Sequence, residues 1–438
     1  MTANGTTLEN VACTMCGCVC DDLKLSIVDG RISEVAPGCA LAEPWLLGQS
    51  SSDVPSCTVD GQQVSFEQAV DRSTKILRAA DSPLIYGLSS SSTPGQRSAV
   101  HLADRIGAVI DTTASTCHAP SIVALQKSGE STCSLGEIKN RSDLVIYWGS
   151  NPEKSHPRHM ERFVDAPGQH VPEGRAGRHV VVVDVNPSET TCRADTFIQV
   201  EPGSDFEVLW ALRGLVQGLP LEMSSVGGVS RDVLTGLARL MTDCEYGAVF
   251  FGLGLTRHGI PHVNVEALLR LVTDLNKRTR FVVRRMRIPG DVAGADSVLC
   301  WQTGYPFSVS LNRTYPRYNP GEFTANDMLE RQEVDAVVLV GTEGISKLSD
   351  GARRHLSAIP SIVLDHAGTG VSVTGTVQFS TAVYGIHRSG TAYRMDETPI
   401  PLRIVLDSTL PADHEVLDAI IERVTVRGKF DVVNGIGE

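Results

Sequence analysis

A series of short apolar runs alternates with helical segments along this chain, and that alternation restricts the fold more than any other feature. Helical periodicity is present at residues 66–80 and 95–108. The apolar runs occupy residues 82–88, 108–113, 143–149, 179–185, 246–254, 335–341 and 360–366. Continuous apolar runs with helices between them are typical of parallel strands in sheets covered on both faces. The sequence therefore predicts an α/β protein whose ligands bind at the carboxyl ends of the strands.

Composition and charge exclude several classes of protein. The chain has 438 residues, 42% hydrophobic and 21% charged, as in ordinary globular proteins of two or three domains. Its formal net charge of -12 would repel a phosphate backbone, so we expect no nucleic-acid partner. The first residues lack the features of a signal peptide, and no run of about 18 apolar residues occurs. We therefore expect a cytoplasmic protein without a membrane span.

Cysteines cluster near the amino terminus, in the stretch CTMCGCVCDD. Cys13, Cys16 and Cys20 have the spacing C-x2-C-x3-C, and Cys39 follows after 18 further residues. In a reducing compartment such a cluster more often binds metal than forms disulfides. Three close thiolates and one distant thiolate favour an iron-sulfur cluster over a zinc ribbon, which has two C-x2-C pairs. Zinc, or a site that has lost its metal, are the alternatives.

The segment after this loop predicts a small amino-terminal unit. Residues 21–37 alternate polar and apolar side chains around Asp29-Gly30, which indicates a β-hairpin that returns Cys39 to the cysteine loop. Residues 50–65 are rich in Ser, Pro and Gly and are expected to be a linker.

Several predicted strands end in loops that could bind a nucleotide-like cofactor. Glycine lets a backbone approach a bulky ligand, and an aspartate at a strand tip can accept hydrogen bonds from a ribose or a purine. The alternative is that these residues only form the turns that strand ends need. The candidates are Gly149, Ser150 and Asn151 in YWGSNP, Asp184 in VVDVNPSE, and Gly341 in LVGTEG.

A second cysteine site follows an early strand, in DTTASTCHAPS. Cys117 lies at a strand tip in a loop of small residues, where its thiolate is a soft ligand for a heavy metal. Adjacent side chains point in different directions, so His118 is poorly placed to activate Cys117 as a nucleophile. A metal ligand beside an acid-base histidine is the functional hypothesis, and a buried core cysteine is the alternative.

Other conspicuous residues receive simpler interpretations. His156 and His159 are expected to lie in a polar loop, and the isolated cysteines are expected to be small core residues. The long polar and aromatic segment 304–329 is expected to be functional or to form an interface.

Seven stretches between residue 13 and about residue 395 carry a resemblance that covers nearly the whole chain. They are CTMCGCVCDD, IDTTASTCHAPS, GEIKNRSDLVIYWGSNPEKSHPRHM, MR at 286–287, WQTGYPF, PRYNPGE with AND, and SGTAYRM. With them the chain resembles the family of B-type subunits of formylmethanofuran dehydrogenase, which are tungsten or molybdenum bis-pterin oxidoreductases. The family includes relatives in bacterial formyltransferase/hydrolase complexes.

The resemblance implies the molybdopterin-oxidoreductase fold, corresponding to domains I to III of formate dehydrogenase and DMSO reductase. Residues 1–55 would form a small iron-sulfur domain. Residues 56–140 together with 330–438 would form a discontinuous Rossmann-like α/β domain, and residues 141–329 a second one inserted into it. The carboxy-terminal barrel of larger members is absent, which implies that a separate D-type subunit supplies it.

The resemblance also implies roles for individual residues. Cys117 would ligate tungsten or molybdenum carried by a bis(pterin guanine dinucleotide). His118 and Arg287 would act on carbon dioxide and formate, with Arg287 holding the carboxylate and His118 relaying a proton. The implied ligands of an electron-relaying 4Fe-4S cluster are Cys13, Cys16, Cys20 and Cys39.

Two activities follow from the resemblance. The first is interconversion of carbon dioxide and formate in tetrahydromethanopterin-linked one-carbon metabolism. It would occur within a complex with an amidohydrolase-like A-type subunit, which binds a formyl-carrying furan cofactor, and with C- and D-type subunits. The second is a pterin-free structural role in a bacterial formyltransferase/hydrolase complex. This alternative stays open because VDVNPSET, MRIPGD and IHRSGT replace the stretches that the family usually carries around the pterin.

Overall fold

The computed structural model describes residues 5–51, 57–366 and 373–424. Strands and helices are numbered separately in chain order. The strands are β1 Thr6–Val11, β2 Leu23–Val28, β3 Arg31–Ala36, β4 Cys57–Val59, β5 Gln62–Gln63, β6 Pro83–Gly87, β7 Val109–Thr112, β8 Leu144–Trp148, β9 His179–Asp184, β10 Thr196–Gln199, β11 Ser225–Val226, β12 Val229–Ser230, β13 Tyr246–Phe251, β14 Arg280–Arg285, β15 Val309–Ser310, β16 Arg317–Tyr318, β17 Ala336–Val340, β18 Ser361–Asp365, β19 Val377–Ser380, β20 Gly390–Tyr393 and β21 Pro399–Leu402. The α-helices are α1 Ala42–Leu47, α2 Phe66–Ala79, α3 Thr93–Ile106, α4 Ala119–Ser128, α5 Leu135–Arg141, α6 Pro152–Ser155, α7 Asp205–Val216, α8 Arg231–Asp243, α9 Pro261–Leu275, α10 Val292–Thr303, α11 Ala325–Glu330, α12 Asp350–Leu356 and α13 Asp413–Arg423.

The predicted α/β alternation is confirmed, because every predicted apolar run forms a strand and both predicted helices form. The ends of the helices show why they start and stop there. Ser65 and Gln68 form a reciprocal capping box at the start of α2, with hydrogen bonds of 3.2 and 3.0 Å. Gly107, with φ of 68°, ends α3 in the left-handed conformation that glycine adopts without strain.

Two large sheets carry the core. The five-stranded sheet has the order β10-β9-β8-β13-β14 and is parallel throughout. The nine-stranded sheet has the order β16-β15-β7-β6-β17-β18-β19-β4-β5. Its five central strands, β7 to β19 in that order, are parallel, and the strands at both edges are antiparallel. The central strands β6, β7, β8 and β17 are buried at every residue and rich in apolar side chains, as expected for parallel sheets that are covered on both faces, whereas β19 alternates between buried and half-buried residues.

The amino-terminal unit is a three-stranded antiparallel sheet, β1-β2-β3, followed by α1. The predicted hairpin is confirmed: Asp29 and Gly30 connect β2 to β3 with positive φ angles of 49° and 70°. These angles are those of a two-residue turn that matches the strand twist. The predicted linker is wrong over residues 57–63, which form the β4-β5 hairpin on the edge of the nine-stranded sheet because β4 pairs with β19. Residues 52–56 of that prediction lie outside the described residues.

The division into domains stays a prediction, and the strand pairing favours one change to it. Residues 309–318 fall inside the predicted inserted domain 141–329, but β15 and β16 pair with the nine-stranded sheet. Helix α10 also packs against α3, which belongs to that sheet's side of the molecule. We therefore propose that the inserted unit ends between β14 and α10.

The long segment 304–329 is fastened to the sheet by one buried carboxylate. Asp111, fully buried in β7, accepts hydrogen bonds from the backbone nitrogens of Ser308 at 2.9 Å and Ala325 at 2.7 Å. This anchor explains why so long a connection has a defined path.

The isolated cysteines were predicted as core residues, which is confirmed for Cys57 and wrong for Cys192 and Cys300, both exposed. Within the part of the chain that the structure describes, no helix has the length and apolarity needed to cross a membrane.

Candidate functional site

A cavity of about 690 Å³ opens where strands of both large sheets end. Its walls come from the loops that follow β7, β8, β9, β13, β14 and β17. The volume lies within the range of ligand pockets, and the location is the one that parallel sheets favour for ligands. Six of the predicted site residues line it together: Cys117, His118, Gly149, Ser150, Asn151 and Asp184.

Cys117 lies at the end of a short helical turn, Thr113–Thr116, directly after β7. The residue is 6% exposed, and its Sγ lies 3.3 Å from the carbonyl oxygen of Thr113. Burial raises the pKa of the thiol, while the positive charges of Lys347 and Arg287 oppose that rise. A buried sulfur in a pocket wall near two cations fits a thiolate ligand of a positively charged metal.

His118 is a neutral imidazole fixed by the backbone. Its Nε2 lies 3.0 Å from the carbonyl oxygen of Met286, and because a carbonyl only accepts, Nε2 carries the hydrogen and donates it. The ring is buried, and burial together with the charges of Arg287 and Arg285 holds its pKa well below the usual value. His118 is therefore a donor held in place, and it is poorly suited to accept a proton near neutral pH.

Arg287 does not line the cavity, although its neighbours Met286 and Ile288 do. Its guanidinium is buried and forms an ion pair with Asp296, whose other oxygen accepts a hydrogen bond of 2.8 Å from Thr112. The guanidinium Nε has no partner among the described residues. The structure thus places Arg287 behind the pocket wall, where it adds positive charge without facing the cavity.

Three glycines let two strand-end loops touch in the pocket floor. Gly149 has a φ of 54°, and a Cβ there would lie 2.7 Å from the backbone nitrogen of Leu255. Gly254 donates a backbone hydrogen bond of 3.0 Å to Gly149, and Gly252 donates one of 3.1 Å to Trp148. Sequence reasoning indicated Gly149 but placed little weight on Gly252 and Gly254. Their role depends on a contact between β8 and β13, which no local pattern encodes.

Asn151 forms hydrogen bonds with other side chains of the protein, and Gly341 makes room for the side chain of Glu343. The Asn151 amide donates to Glu189 at 2.6 Å and accepts from Thr190 at 2.7 Å, which braces the loop that follows β9. Gly341 does not line the cavity, and a Cβ there would collide with the carboxylate of Glu343. The prediction that these residues bind a cofactor remains untested.

The cavity also carries charged side chains that the sequence did not single out. Lys154, Arg257 and Lys347 line it, and none of the three is within ion-pairing distance of a carboxylate among residues 5–51, 57–366 and 373–424. Cationic side chains without partner carboxylates suit an anionic ligand such as a phosphate group.

The amino-terminal cysteines converge as predicted. Cys13, Cys16, Cys20 and Cys39 all line one small second cavity, together with Arg158. A backbone hydrogen bond of 2.8 Å from Cys13 to Cys20 closes the loop, and the Sγ of Cys39 accepts a hydrogen bond of 3.4 Å from the Ala42 nitrogen. The donor set of four sulfurs around one cavity fits a soft-metal group.

Burial is the main influence on two of these thiols, whereas a hydrogen bond from Cys18 lowers the pKa of Cys16. Burial raises the pKa of Cys13 well above the usual value and that of Cys20 to about 11, although Arg162 and Arg158 oppose the rise at Cys20. Among the described residues, no three His, Cys, Asp or Glu side chains form a group that fits a single metal ion. The metal content of this cavity therefore stays a prediction.

The two cavities are neighbours. Met15 and Leu41 line both of them. The carbonyl oxygen of Arg287 accepts hydrogen bonds from the backbone nitrogen of Gly17, at 3.1 Å, and from Nε2 of His156, at 2.9 Å. One carbonyl thus connects the cysteine loop to the wall of the large cavity.

Replacing Gly17 with alanine should test this connection. A Cβ at Gly17 would collide with the Arg287 carbonyl, so we expect a loss of about 1 to 3 kcal/mol in the free energy of unfolding, measured by thermal or chemical denaturation. Gly236→Ala is the matched control, because nothing lies within 4 Å of a Cβ at that helical position. Equal stability of the two variants would contradict the described contact.

The histidines of SHPRHM were predicted to lie in a polar loop, and that prediction is wrong. His156 and His159 are 1% and 0% exposed. His156 faces the large cavity, whereas the His159 ring packs against Tyr147, Phe163 and Phe250. Burial lowers the pKa of His156 to about 4 and that of His159 to about 3, so both are neutral.

Comparison with known proteins gives a consistent result. No family model matches the chain. It is 38% identical over 435 residues to the B-type subunit of tungsten-containing formylmethanofuran dehydrogenase 2 from Methanocaldococcus jannaschii, covering 95% of this chain and 98% of that one. A chain of the formyltransferase/hydrolase complex of Methylorubrum extorquens, solved with methylofuran, superposes with a TM-score of 0.70 at 21% identity, covering 84% of this chain and 98% of that one. Acetylene hydratase from Pelobacter acetylenicus superposes with a TM-score of 0.68 at 11% identity, covering 95% of this chain and 69% of that one.

Proposed function

The chain belongs to the family of B-type subunits of formylmethanofuran dehydrogenase, and from that premise we propose that it interconverts carbon dioxide and formate within such a complex. The main support for the proposal is the large cavity, which is lined by Cys117, His118 and the glycine-bearing loops at strand ends. A second cavity, lined by four cysteines, lies beside it. A redox site and an electron-relay site in contact are what a two-electron oxidoreductase needs.

The residues of the large cavity fit a metal carried by a pterin nucleotide. Cys117 offers the soft sulfur ligand, and Lys154, Arg257 and Lys347 offer positive charge for the phosphates. Asp184, at the end of β9, is placed to accept hydrogen bonds from a ribose or base, as carboxylates at strand ends do in nucleotide-binding sheets. When bound, tungsten or molybdenum would exchange two electrons with the substrate.

The cysteine cavity fits a 4Fe-4S cluster that relays those electrons. Its four thiols come from one loop and from Cys39, which lies directly before α1, as expected for a cluster bound by three close ligands and one distant ligand. Met15 and Leu41 separate it from the large cavity, so the path between the two groups is short.

The substrate side of the site needs one change from the roles implied by the resemblance. Arg287 is paired with Asp296 and faces away from the cavity, so we assign it a positioning role. Its carbonyl holds Gly17 and His156, and its charge raises the local potential for an anion such as formate. His118 would donate or hold a hydrogen bond at the pocket wall through its fixed, neutral ring.

Partners are proposed from surface chemistry and from relatives. Helices α7 and α8 and the segment between them expose five large apolar side chains, which suit contact with a partner subunit. These side chains are Trp210, Leu219, Met223, Val233 and Leu240. We propose that A-, C- and D-type subunits cover such surfaces, and that the furan cofactor binds through the A-type subunit. The similarity to a complex solved with methylofuran supports this assembly.

The second candidate is a pterin-free structural role in a formyltransferase/hydrolase complex. A chain of the bacterial complex has the same fold, with a TM-score of 0.70, so this role is the alternative that we keep. The 38% identity to a tungsten-containing relative favours the redox function.

Formate oxidation by the purified complex tests the proposal. We expect the complex to oxidise formate with a viologen dye as electron acceptor, since the proposed relay would deliver electrons to an external acceptor. The control is the same complex with the dye and without formate. A complex that transfers formyl groups but never reduces the dye would support the structural role.

A further inference from the structure

The carboxylate of Glu343 lines the large cavity, and none of the roles described above involves it. It lies in the loop after β17, three residues beyond the strand end, and it lines the cavity with Lys347. Both of its carboxylate oxygens are shielded from solvent, and neither has a hydrogen-bond partner among the described residues. Buried carboxylates are ordinarily hydrogen-bonded or paired, so this exception needs a chemical explanation.

The backbone is shaped to keep this carboxylate in place. Gly341 has a φ of 81°, and a Cβ there would occupy the position of the Glu343 carboxylate. At Gly344 a Cβ would lie 2.7 Å from the Tyr86 hydroxyl oxygen and 2.9 Å from Thr113, at the start of the turn that carries Cys117. The Glu343 loop therefore packs directly against the Cys117 turn, and the missing side chain of Gly344 leaves room for that contact.

Several charged or titratable groups surround Glu343. Asp365 at the end of β18, Tyr86 in β6 and Tyr384 interact with it electrostatically, and Lys347 lies in the same loop. Burial, assisted by the negative charge of Asp365, raises the pKa of Glu343 to about 7. The backbone nitrogens of Glu343 and Ser90 and the Ser90 side chain lie near enough to favour the ionised form, but none of them has the geometry of a hydrogen bond to the carboxylate.

His118 cannot perform the same task. Its Nε2 hydrogen is committed to the Met286 carbonyl, and its Nδ1 lies 3.5 Å from the Ser121 hydroxyl, which donates instead to a backbone carbonyl at 2.7 Å. The positive charges around the imidazole oppose its protonation. The two groups differ in their electrostatic surroundings, because burial and nearby cations oppose protonation of His118, whereas burial and the charge of Asp365 favour protonation of Glu343.

We propose that Glu343, rather than His118, is the side chain that exchanges the proton of the reaction. The proposal rests on the proposed function in one respect, namely that formate is oxidised in this cavity. Oxidation of formate to carbon dioxide breaks the C–H bond and releases one proton and two electrons, and a tungsten or molybdenum centre held by Cys117 would supply the acceptor for the two electrons. Carbon dioxide forms, and the Glu343 carboxylate becomes a carboxylic acid. In the reverse direction the acid returns that proton.

The first test observes the carboxyl group itself and needs no redox activity. Infrared difference spectra of the intact complex, recorded about one pH unit on either side of the Glu343 pKa of about 7, should show the carbonyl band of a protonated carboxyl group. Asp111, whose pKa burial raises to about 6, also contributes to this band, so the measured quantity is the loss of band intensity on mutation. The intensity should fall in Glu343→Gln and stay unchanged in Glu207→Gln, a control on the exposed face of α7. Equal intensity in Glu343→Gln and the unchanged complex overturns the proposal.

The second test observes catalysis. In the unchanged complex, kcat for formate oxidation should rise with pH through about 7, because only the carboxylate accepts a proton. In Glu343→Gln kcat should fall about 100-fold or more and lose that pH dependence, with little change in KM for formate. Glu343→Asp should recover part of kcat. A glutamine variant that keeps the pH profile overturns the proposal. A complex that contains no tungsten or molybdenum contradicts the proposed function instead, and the infrared test then still shows whether the Glu343 carboxyl group takes up a proton near pH 7.

Discussion

Replacing Cys117 with serine is expected to abolish formate oxidation by the assembled complex and to leave its iron content unchanged. Serine replaces a soft thiolate with a hard, weakly acidic hydroxyl, which is a poor ligand for tungsten or molybdenum. The fold should tolerate the change, because the new hydroxyl can donate to the Thr113 carbonyl that Sγ now contacts. Its effect on the free energy of unfolding should not exceed about 1 to 2 kcal/mol. Viologen-linked activity and elemental analysis would measure the result.

The matched control for Cys117 is Cys57→Ser. Cys57 is equally buried, at 1% exposure, but it lies in β4 at the edge of the nine-stranded sheet and does not line the large cavity. This variant should keep formate oxidation and tungsten or molybdenum. Full formate oxidation in the Cys117→Ser complex would refute the ligand assignment.

The second large effect is expected at Cys39, the cysteine that comes from outside the amino-terminal loop. Cys39→Ala should remove most of the iron and sulfide and the brown colour of the complex, because a 4Fe-4S cluster bound by three thiolates is exposed to loss. Formate oxidation should fall with it, since electrons would no longer leave the large cavity. Iron and sulfide analysis with visible absorption spectroscopy would measure the change.

Cys18→Ala is the control for Cys39. Cys18 lies in the same loop as the proposed ligands and is fully buried, yet it does not line the cysteine cavity. Its thiol interacts with that of Cys16, so the control also shows how far a neighbour of a proposed ligand affects iron content. Equal iron loss in the two variants would contradict the ligand set, and stoichiometric zinc in place of iron would contradict the cluster.

Periodicity and spacing were enough to predict much of this molecule. The strands that were predicted, such as β8, β9 and β17, are mostly apolar runs, and burial on both faces is typical of such runs in parallel sheets. The Asp29-Gly30 turn could be predicted from the sequence because both of its residues adopt positive φ, which Asp and Gly tolerate. Cys117, Gly149 and Asp184 were found because the ends of parallel strands meet at one edge of a sheet.

The features that sequence reasoning missed depend on contacts between distant segments. His159 looked like a loop residue because only the folded chain surrounds it with Tyr147, Phe163 and Phe250. Arg287 was expected to face the substrate, but its pairing with Asp296 turns it away. No sequence pattern around Glu343 indicates a functional residue. The glycines on either side of it, at 341 and 344, were the only hint that its loop packs tightly.

Elemental analysis of the purified complex tests the central claim most directly. The account predicts about one tungsten or molybdenum and about four irons per copy of this chain, as expected for one pterin-bound metal and one 4Fe-4S cluster. Mass spectrometry of the extracted cofactor should identify a pterin guanine dinucleotide. A complex that transfers formyl groups and contains neither tungsten nor molybdenum would contradict the redox function and leave the chain with a structural role.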